Sequence, residues 1–318
     1  MHDPLIDFAT VPPVPLHHAV IAARGPLRQA VADLLAVPDS ALDGPWRWRP
    51  TDTEDLDVRY GFYSIHERFE AATGAIETGR ASGGESIGPA VPSLAAMAAA
   101  RWELHGWLAP LELATWDADP GEGEWTVRRT FGHIIGGQRS YGWYNAWYIR
   151  EGVIGREVAR PSEDEFPPEP TEDEDAAGDP STVLARFDAV VDANVVAAAG
   201  LGTAALGVSA RWSGVPVTVD FRLGRYGSHI REHTIQIDKT LAMLGRPATE
   251  VERLVRLVLA SYGRLEATLI GRPASQLDRS LADGPSAASH LAAAVETAVA
   301  TASLVRNAAQ AHGSRAAG

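Results

Sequence analysis

The 318-residue chain contains no cysteine, which excludes disulfide bonds, thiolate metal ligands and a cysteine nucleophile. Basic residues are also scarce, because 28 Lys and Arg stand against 41 Asp and Glu and give a formal net charge of −13. Binding to a phosphate backbone needs clustered positive charge. We therefore expect no nucleic-acid partner.

Long apolar runs and the features of a signal peptide are absent too. No uninterrupted apolar stretch approaches the roughly 18 residues that span a bilayer. The first residues, MHDPLIDFATVPPVPLHH, lack a basic segment followed by an apolar one. Since 45% of the residues are hydrophobic and 22% are charged, the chain can still bury a substantial core. We expect a cytoplasmic protein that does not enter a membrane.

Strand-like alternation of polar and apolar residues is nearly absent, whereas helical periodicity dominates. The pattern predicts an all-α protein, with Gly25-Pro26 kinking or interrupting its first helix. Thr126 and Ser181 are suited to cap the helices that they begin. Helices are predicted at about 17–37, 57–77, 93–112, 126–150, 181–199, 221–244, 251–269 and 285–307.

Two segments between helices are poor in apolar residues. Residues 79–92 are rich in Gly, Ser and Pro and are typical of a linker. Residues 161–180 hold nine acidic residues and no Lys or Arg. Because this stretch lacks a pattern that could form a core, we expect it to be mobile or poorly packed.

A helix, a turn-rich loop and a second helix recur weakly near 17–77, 92–150 and 251–307. Chance similarity among amphipathic helices explains this pattern as well as a true repeat does. The first and last helix pairs cannot each bury two apolar faces alone. We expect them to complete a second four-helix bundle built from both ends of the chain.

The stretch RYGSHIREHTIQIDKTL places His229 and His233 four residues apart on one face of a predicted helix, within reach of one metal ion. With Glu232 between them, the string also matches the inverted zincin motif, in which that glutamate is the general base. The motif needs a further carboxylate ligand from a downstream helix. Nothing in the sequence selects among the available residues, Glu250, Glu252, Glu266 and Glu296.

His133, on an earlier helix, offers a different third ligand. Three neutral imidazoles from two helices leave coordination positions open, as catalytic sites do and structural sites do not. His105 is interpreted as a structural histidine. His66 and His290 each lack a partner at the H-x-x-x-H spacing.

The string WTVRRTFGH, followed about 95 residues later by H-x-x-x-H-x-x-Q, resembles the DinB-like superfamily of four-helix-bundle metalloproteins. The residues that carry the resemblance are Trp125, Val127, Arg128, His133, His229, His233 and Gln236. That superfamily includes the mycothiol- and bacillithiol-dependent S-transferases and the mycothiol-dependent maleylpyruvate isomerase. The resemblance implies an up-down-down-up bundle, which we expect over 86–245. The helix pairs predicted from the pattern lie on either side of it, in 1–85 and 246–318.

The resemblance also implies a divalent metal, Zn2+ or Ni2+, held by His133, His229 and His233. A divalent ion lowers the pKa of a thiol or of water. Since the chain has no cysteine, a thiol must come from outside, and mycothiol is the expected co-substrate. The expected function is that of a metal-dependent transferase or isomerase acting on a small electrophilic substrate, in a monomer or homodimer. A hydrolase of a small amide or thiol adduct and a non-catalytic binding bundle are the alternatives.

Further side chains near the predicted ligands are candidates for catalysis. Glu232 is interpreted as an exposed carboxylate or one that supports a ligand, with acid-base work as the alternative. Gln236 suits the orientation of a ligand or a bound water. Arg222 or Arg225 suits a clamp on a substrate carboxylate, although a solvated helix face is the preferred interpretation. Tyr141 and Tyr144, with Trp143 and Trp147, are expected either to pack in the core or to form a pocket wall.

Overall fold

The computed structural model describes residues 11–46, 55–151, 161–162, 165–282 and 284–316. The predicted all-α fold is confirmed. The helices are α1 (His18–Leu35), α2 (Arg59–Ser82), α3 (Val91–Leu108), α4 (Leu113–Asp117), α5 (Val127–Glu151), α6 (Glu172–Asp175), α7 (Pro180–Ala198), α8 (Thr203–Leu206), α9 (Val219–Met243), α10 (Glu250–Ala267), α11 (Ala274–Leu277) and α12 (Ala287–Ala316), with a 3-10 turn at Asp39–Ala41.

Short antiparallel ribbons connect some of the helices. Each ribbon pairs two strands that are neighbours in the chain, so the ribbons brace loops and do not form a sheet layer. The strands are β1 (Pro45–Trp46), β2 (Leu56–Asp57), β3 (Ser209–Trp212), β4 (Val215–Thr218), β5 (Ser280–Leu281) and β6 (Gly284–Ser286).

The inner bundle consists of α3, α5, α7 and α9, each packed against two of the others. Residue pairs along the facing helices fix their directions: α3 and α9 run one way, and α5 and α7 run the other way. The order is therefore up-down-down-up. Its core is built from apolar residues on all four helices, among them Leu104, Phe131, Phe187 and Ile230.

The outer bundle consists of α1, α2, α10 and α12. Helices α2 and α10 run parallel, because Arg59 pairs with Glu250 where both begin and Arg80 donates to the Thr268 carbonyl where both end. Helices α1 and α12 run parallel in the opposite direction. The outer bundle thus has the same up-down-down-up order, around a core of its own. That the two bundles are separate domains stays a prediction.

The two bundles meet where α3 packs against α10. Trp102 of α3 belongs to the outer core. Glycine allows the close approach, since a Cβ on Gly263 would lie 2.9 Å from the Trp102 Cβ and 3.0 Å from the Ala99 carbonyl. A buried ion pair crosses the same interface, because the Arg101 guanidinium binds Glu266 of α10. Arg101 also binds the carboxylate of Asp192 on α7, within the inner bundle.

The structure confirms one of the two predicted N-cap residues and contradicts the other. Thr126 caps α5 as predicted, because its hydroxyl accepts the Arg129 amide at 3.1 Å. The prediction for Ser181 was wrong. Asp179 is the N-cap of α7 and accepts the Thr182 amide at 3.1 Å, with Pro180 at the first helical position, where its missing N–H costs nothing.

The first helix is continuous through Pro26, so the predicted interruption at this point does not occur. The last helix, α12, is long and apolar enough over Ala287–His312 to cross a membrane by length and composition alone. Its Leu291, Val295 and Ala302 side chains are buried in the outer core. These side chains make α12 part of the core of the outer bundle.

The acidic stretch 161–180 was predicted to be mobile or poorly packed, but Asp175 and Ala176 in its second half are buried. It contains α6, which begins with a capping box formed by Thr171 and Glu174. The Asp175 carboxylate is buried and accepts two hydrogen bonds from Arg139, at 2.6 and 2.8 Å. This long-range ion pair fixes α6 against α5.

Candidate metal centre

Three imidazoles converge between α5 and α9. His133 projects from α5, and His229 and His233 project from successive turns of α9. Their ring centroids lie 4.4 to 5.3 Å apart, and one ring nitrogen of each lies within 4.8 Å of the others. The Nε2 atoms of His229 and His233 are 3.0 Å apart. Four-residue spacing on α9 and the antiparallel pairing of α5 with α9 together produce this cluster.

Two of the three imidazoles are held by oxygen acceptors on the side away from the cluster. The Nδ1 atom of His133 lies 2.7 Å from an Oε1 of Glu172 on α6. The Nδ1 atom of His233 lies 2.7 Å from Oε1 of Gln236, three residues along α9. An acceptor at Nδ1 favours the tautomer with the proton there, which leaves the Nε2 lone pair for a metal.

His229 is the buried member of the cluster, and α5 makes room for it at a glycine. A Cβ on Gly137 would lie 2.5 Å from the His229 Cε1 atom. Burial, reinforced by the charges of His233 and His133, lowers the pKa of His229 to about 3. Burial lowers the pKa of His233 as well. Both imidazoles are therefore neutral near pH 7, which is the form that binds metals.

The cluster fits a divalent cation. Two nitrogens bound to one tetrahedral zinc ion at about 2.0–2.1 Å lie roughly 3.3 Å apart, close to the 3.0 Å between His229 and His233. Neutral imidazole nitrogens suit zinc and nickel. Oxygen acceptors behind two of the ligands are the usual support of a histidine metal site.

Residues 96–237 match the family model of the DinB superfamily. This part of the chain belongs to the DinB superfamily. DinB proteins typically bind a divalent metal, and the superfamily includes metal-dependent enzymes. The matched residues cover most of the inner bundle, called the DinB bundle from here on, and contain all three histidines. No curated protein and no solved structure shows significant similarity to the chain.

Glu232 does not have the surroundings of the general base that the inverted zincin motif requires. Both of its oxygens accept hydrogen bonds from Arg225, each at 2.7 Å. This pairing and the charge of Arg225 outweigh burial and lower the pKa of Glu232. The carboxylates proposed as further ligands lie elsewhere: Glu250 binds Arg59, Glu252 binds Arg246, Glu266 lies at the interface of the bundles, and Glu296 is exposed on α12.

The four aromatic candidates on α5 divide into two groups. Trp143 and Trp147 are buried in the core of the DinB bundle. Tyr141 and Tyr144 line a cavity of about 200 Å3. The Tyr141 ring lies 5.1 Å from the His229 ring, and burial raises the pKa of Tyr141.

Arg222 lines the same cavity, near the start of α9. Its Nε donates to Asn145 at 2.8 Å and its Nη1 donates to the Arg211 carbonyl at 2.7 Å. Burial lowers the pKa of Arg222. Arg225 sits one turn further on and is engaged by Glu232. The two arginines that the sequence grouped together thus have different surroundings.

Sequence reasoning missed Glu172. It belongs to an acidic run in which any carboxylate is as good a candidate as its neighbours, and 39 residues separate it from His133. The one local signal was the T-x-x-E string that begins at Thr171, which is a capping box and predicts a helix start there. Without the contact between α6 and α5, that signal does not lead to the metal site.

Proposed function

We propose that the DinB bundle is the catalytic part of a metal-dependent transferase or isomerase that uses an exogenous low-molecular-weight thiol, such as mycothiol, on a small electrophilic substrate. The observation that carries the proposal is the cluster of three imidazoles, two of them supported at Nδ1, with His229 against Tyr141, which lines a cavity. Three protein ligands leave positions for reacting groups, as in catalytic sites.

His133, His229 and His233 would hold the ion, and Glu172 and Gln236 would keep two of the rings in place. A bound Zn2+ or Ni2+ supplies a Lewis acid that lowers the pKa of a thiol, so that the thiol reacts as thiolate. The chain has no cysteine of its own, so the thiol comes from solution. The substrate would occupy the cavity that Tyr141 lines beside His229, with its reacting carbon directed toward the three histidines.

The proposed reaction forms a bond between the thiolate sulfur and an electrophilic carbon. In a transfer, the leaving group departs with the electron pair of its bond. In an isomerisation, the new carbon–sulfur bond breaks again after rotation, and the thiol is regenerated. Tyr141 is placed to donate a hydrogen bond to the oxygen or leaving group that gains negative charge, because its phenol is protonated near pH 7 and burial raises its pKa further.

A thiol-dependence assay tests the proposal. The purified protein, loaded with Zn2+ or Ni2+, is mixed with 1-chloro-2,4-dinitrobenzene in the presence and absence of mycothiol, and the coloured thioether is followed by absorbance. We expect product formation that requires protein and thiol and that His233→Ala abolishes. Product release from a preformed thiol adduct without added thiol would instead identify a hydrolase. Neither activity, in a protein with stoichiometric metal, would favour a binding bundle.

A further inference from the structure

The cavity lined by Tyr141 and Tyr144 contains a buried cation. Arg222 is 5% exposed, yet within the described residues no carboxylate lies at ion-pair distance from its guanidinium. Its partners are neutral, namely the Asn145 side chain and a backbone carbonyl. Arg225 and Arg231, on the same helix, both have carboxylate partners. Burial of a charge is costly unless a partner compensates for it.

The guanidinium also has donors to spare. An arginine carries five N–H groups in a planar fork, and the described contacts of Arg222 use its Nε–H and one N–H of Nη1. Because Arg222 lines the cavity, the remaining donors are available to a molecule within it. A guanidinium fork matches the two oxygens of a carboxylate.

Aromatic rings form the walls around this cation. The Arg222 Cζ atom lies 5.2 Å from the Tyr144 ring, 5.3 Å from Tyr148 and 5.4 Å from Trp212. Trp212 and the Ser213–Gly214 turn come from the β3–β4 ribbon, which closes one side of the cavity. Such rings hold the cation in place and offer flat apolar faces to a planar group.

The size of the cavity limits the occupant. A cavity of roughly 150 Å3 can hold one benzene molecule, and this one measures about 200 Å3. We propose that the cavity binds a small planar carboxylate, of about the size of benzoate, with its carboxylate on Arg222 and its planar part between Tyr144 and Trp212. Arg222 recognises the carboxylate. The ring of Tyr141 lies between the proposed carboxylate site and His229.

The inference deepens the proposed function, on which it rests for one point: the electrophilic carbon of the substrate would lie on the Tyr141 side of the cavity, toward the histidines. Binding of the carboxylate does not depend on the reaction. A substrate class follows, namely small unsaturated or aromatic carboxylic acids.

Isothermal titration calorimetry on the full chain with benzoate as the probe tests the inference, with benzyl alcohol as the matched neutral molecule. We expect one benzoate per chain and at least about tenfold weaker binding of benzyl alcohol, since a charge-assisted hydrogen bond is lost. Arg222→Gln should weaken benzoate binding at least about tenfold. Arg231→Gln, which removes an exposed arginine paired with Glu103, should change it less than about twofold.

A second cavity variant tests the inference even if Arg222→Gln fails to fold. Ser140→Leu adds bulk to the cavity wall on α5, leaves Arg222 unchanged and should block benzoate. His233→Ala, which is expected to lack the metal, should still bind benzoate. Absence of binding in the parent protein, equal affinity for benzyl alcohol, unchanged affinity in both cavity variants, or loss of binding in His233→Ala would each overturn the inference. Retained benzoate binding without thiol-dependent product would refute the proposed function alone.

Discussion

At the scale of single residues, helical spacing predicted His229 and His233, which share one helix face, and the family resemblance added His133. The residues that hold these ligands in place could be predicted only in part. Gln236 lies three residues from His233 on the same helix, so local spacing already places the two side chains together. Glu172 reaches His133 across a loop, and no periodicity connects them.

The first prediction concerns the ligands. His133→Ala, His229→Ala and His233→Ala should each lose stoichiometric metal, because two imidazoles hold an ion poorly against water. Glu232→Gln should retain it, since Glu232 binds Arg225. Metal analysis of the purified variants measures this. Full occupancy in His133→Ala beside an empty His233→Ala would revive the inverted zincin interpretation.

Glu172 gives the second prediction. Glu172→Gln should weaken metal binding about 10- to 100-fold, the usual effect of losing the acceptor behind a histidine ligand. Asp173→Asn is the matched control, because it makes the same charge change at an exposed position of α6. Competition with a chromophoric chelator gives both affinities. Equal affinities in the two variants would show that Glu172 does not support His133.

At the scale of elements, periodicity located the long helices to within a few residues at most ends. It failed where a long-range contact decides the outcome. The acidic stretch gave no apolar pattern, yet α6 is ordered by Arg139, which binds Asp175 from another helix. The end of α12 was set too early, because an Ala-rich stretch with a Gly and polar residues carries little periodicity; the helix continues to Ala316.

Helix α6 reaches the metal site because α5 presents a glycine to it. A Cβ on Gly132 would lie 2.1 Å from the Glu172 carbonyl oxygen, so Gly132→Ala must displace α6 and the Glu172 side chain with it. We expect weaker metal binding, measured by chelator competition, although no ligand is changed. In Gly136→Ala, the nearest contact of the new Cβ is 3.4 Å from Asp175, and metal binding should stay close to that of the parent protein.

At the scale of the whole molecule, buried ion pairs join the two bundles. Glu266 accepts hydrogen bonds from Arg24, Arg101 and Tyr262 and is fully buried. Removing one partner of such a network leaves uncompensated charge, so Glu266→Gln should lower the free energy of unfolding by about 3–5 kcal/mol. Glu70→Gln breaks an exposed pair with Arg264 and should cost at most about 1 kcal/mol. Urea denaturation distinguishes the two, and similar losses would count against the network.

Acid should weaken the same interface. Burial alone would raise the pKa of Asp188, but the charges of His105 and Arg101, with Arg28, hold it well below its usual range. A carboxyl whose folded pKa is depressed stabilises the fold above its unfolded pKa, about 3.9, and loses that contribution as the pH falls. The free energy of unfolding should therefore fall as the pH drops from about 5 toward about 2. Urea titrations at several pH values should show a shallower fall in Asp188→Asn; an unchanged slope would contradict this.

The parallel course of α2 and α10 has a consequence for the design of shortened versions of the protein. The chain leaves the outer bundle at the end of α2 and re-enters at the start of α10, and these points lie at opposite ends of the bundle. Helix α10 has 18 residues and spans about 27 Å. A fully extended linker covers at most about 3.6 Å per residue, so eight or more residues, roughly, are needed to close the gap. A gene fusion that joins α2 directly to α10 would therefore prevent the outer bundle from forming.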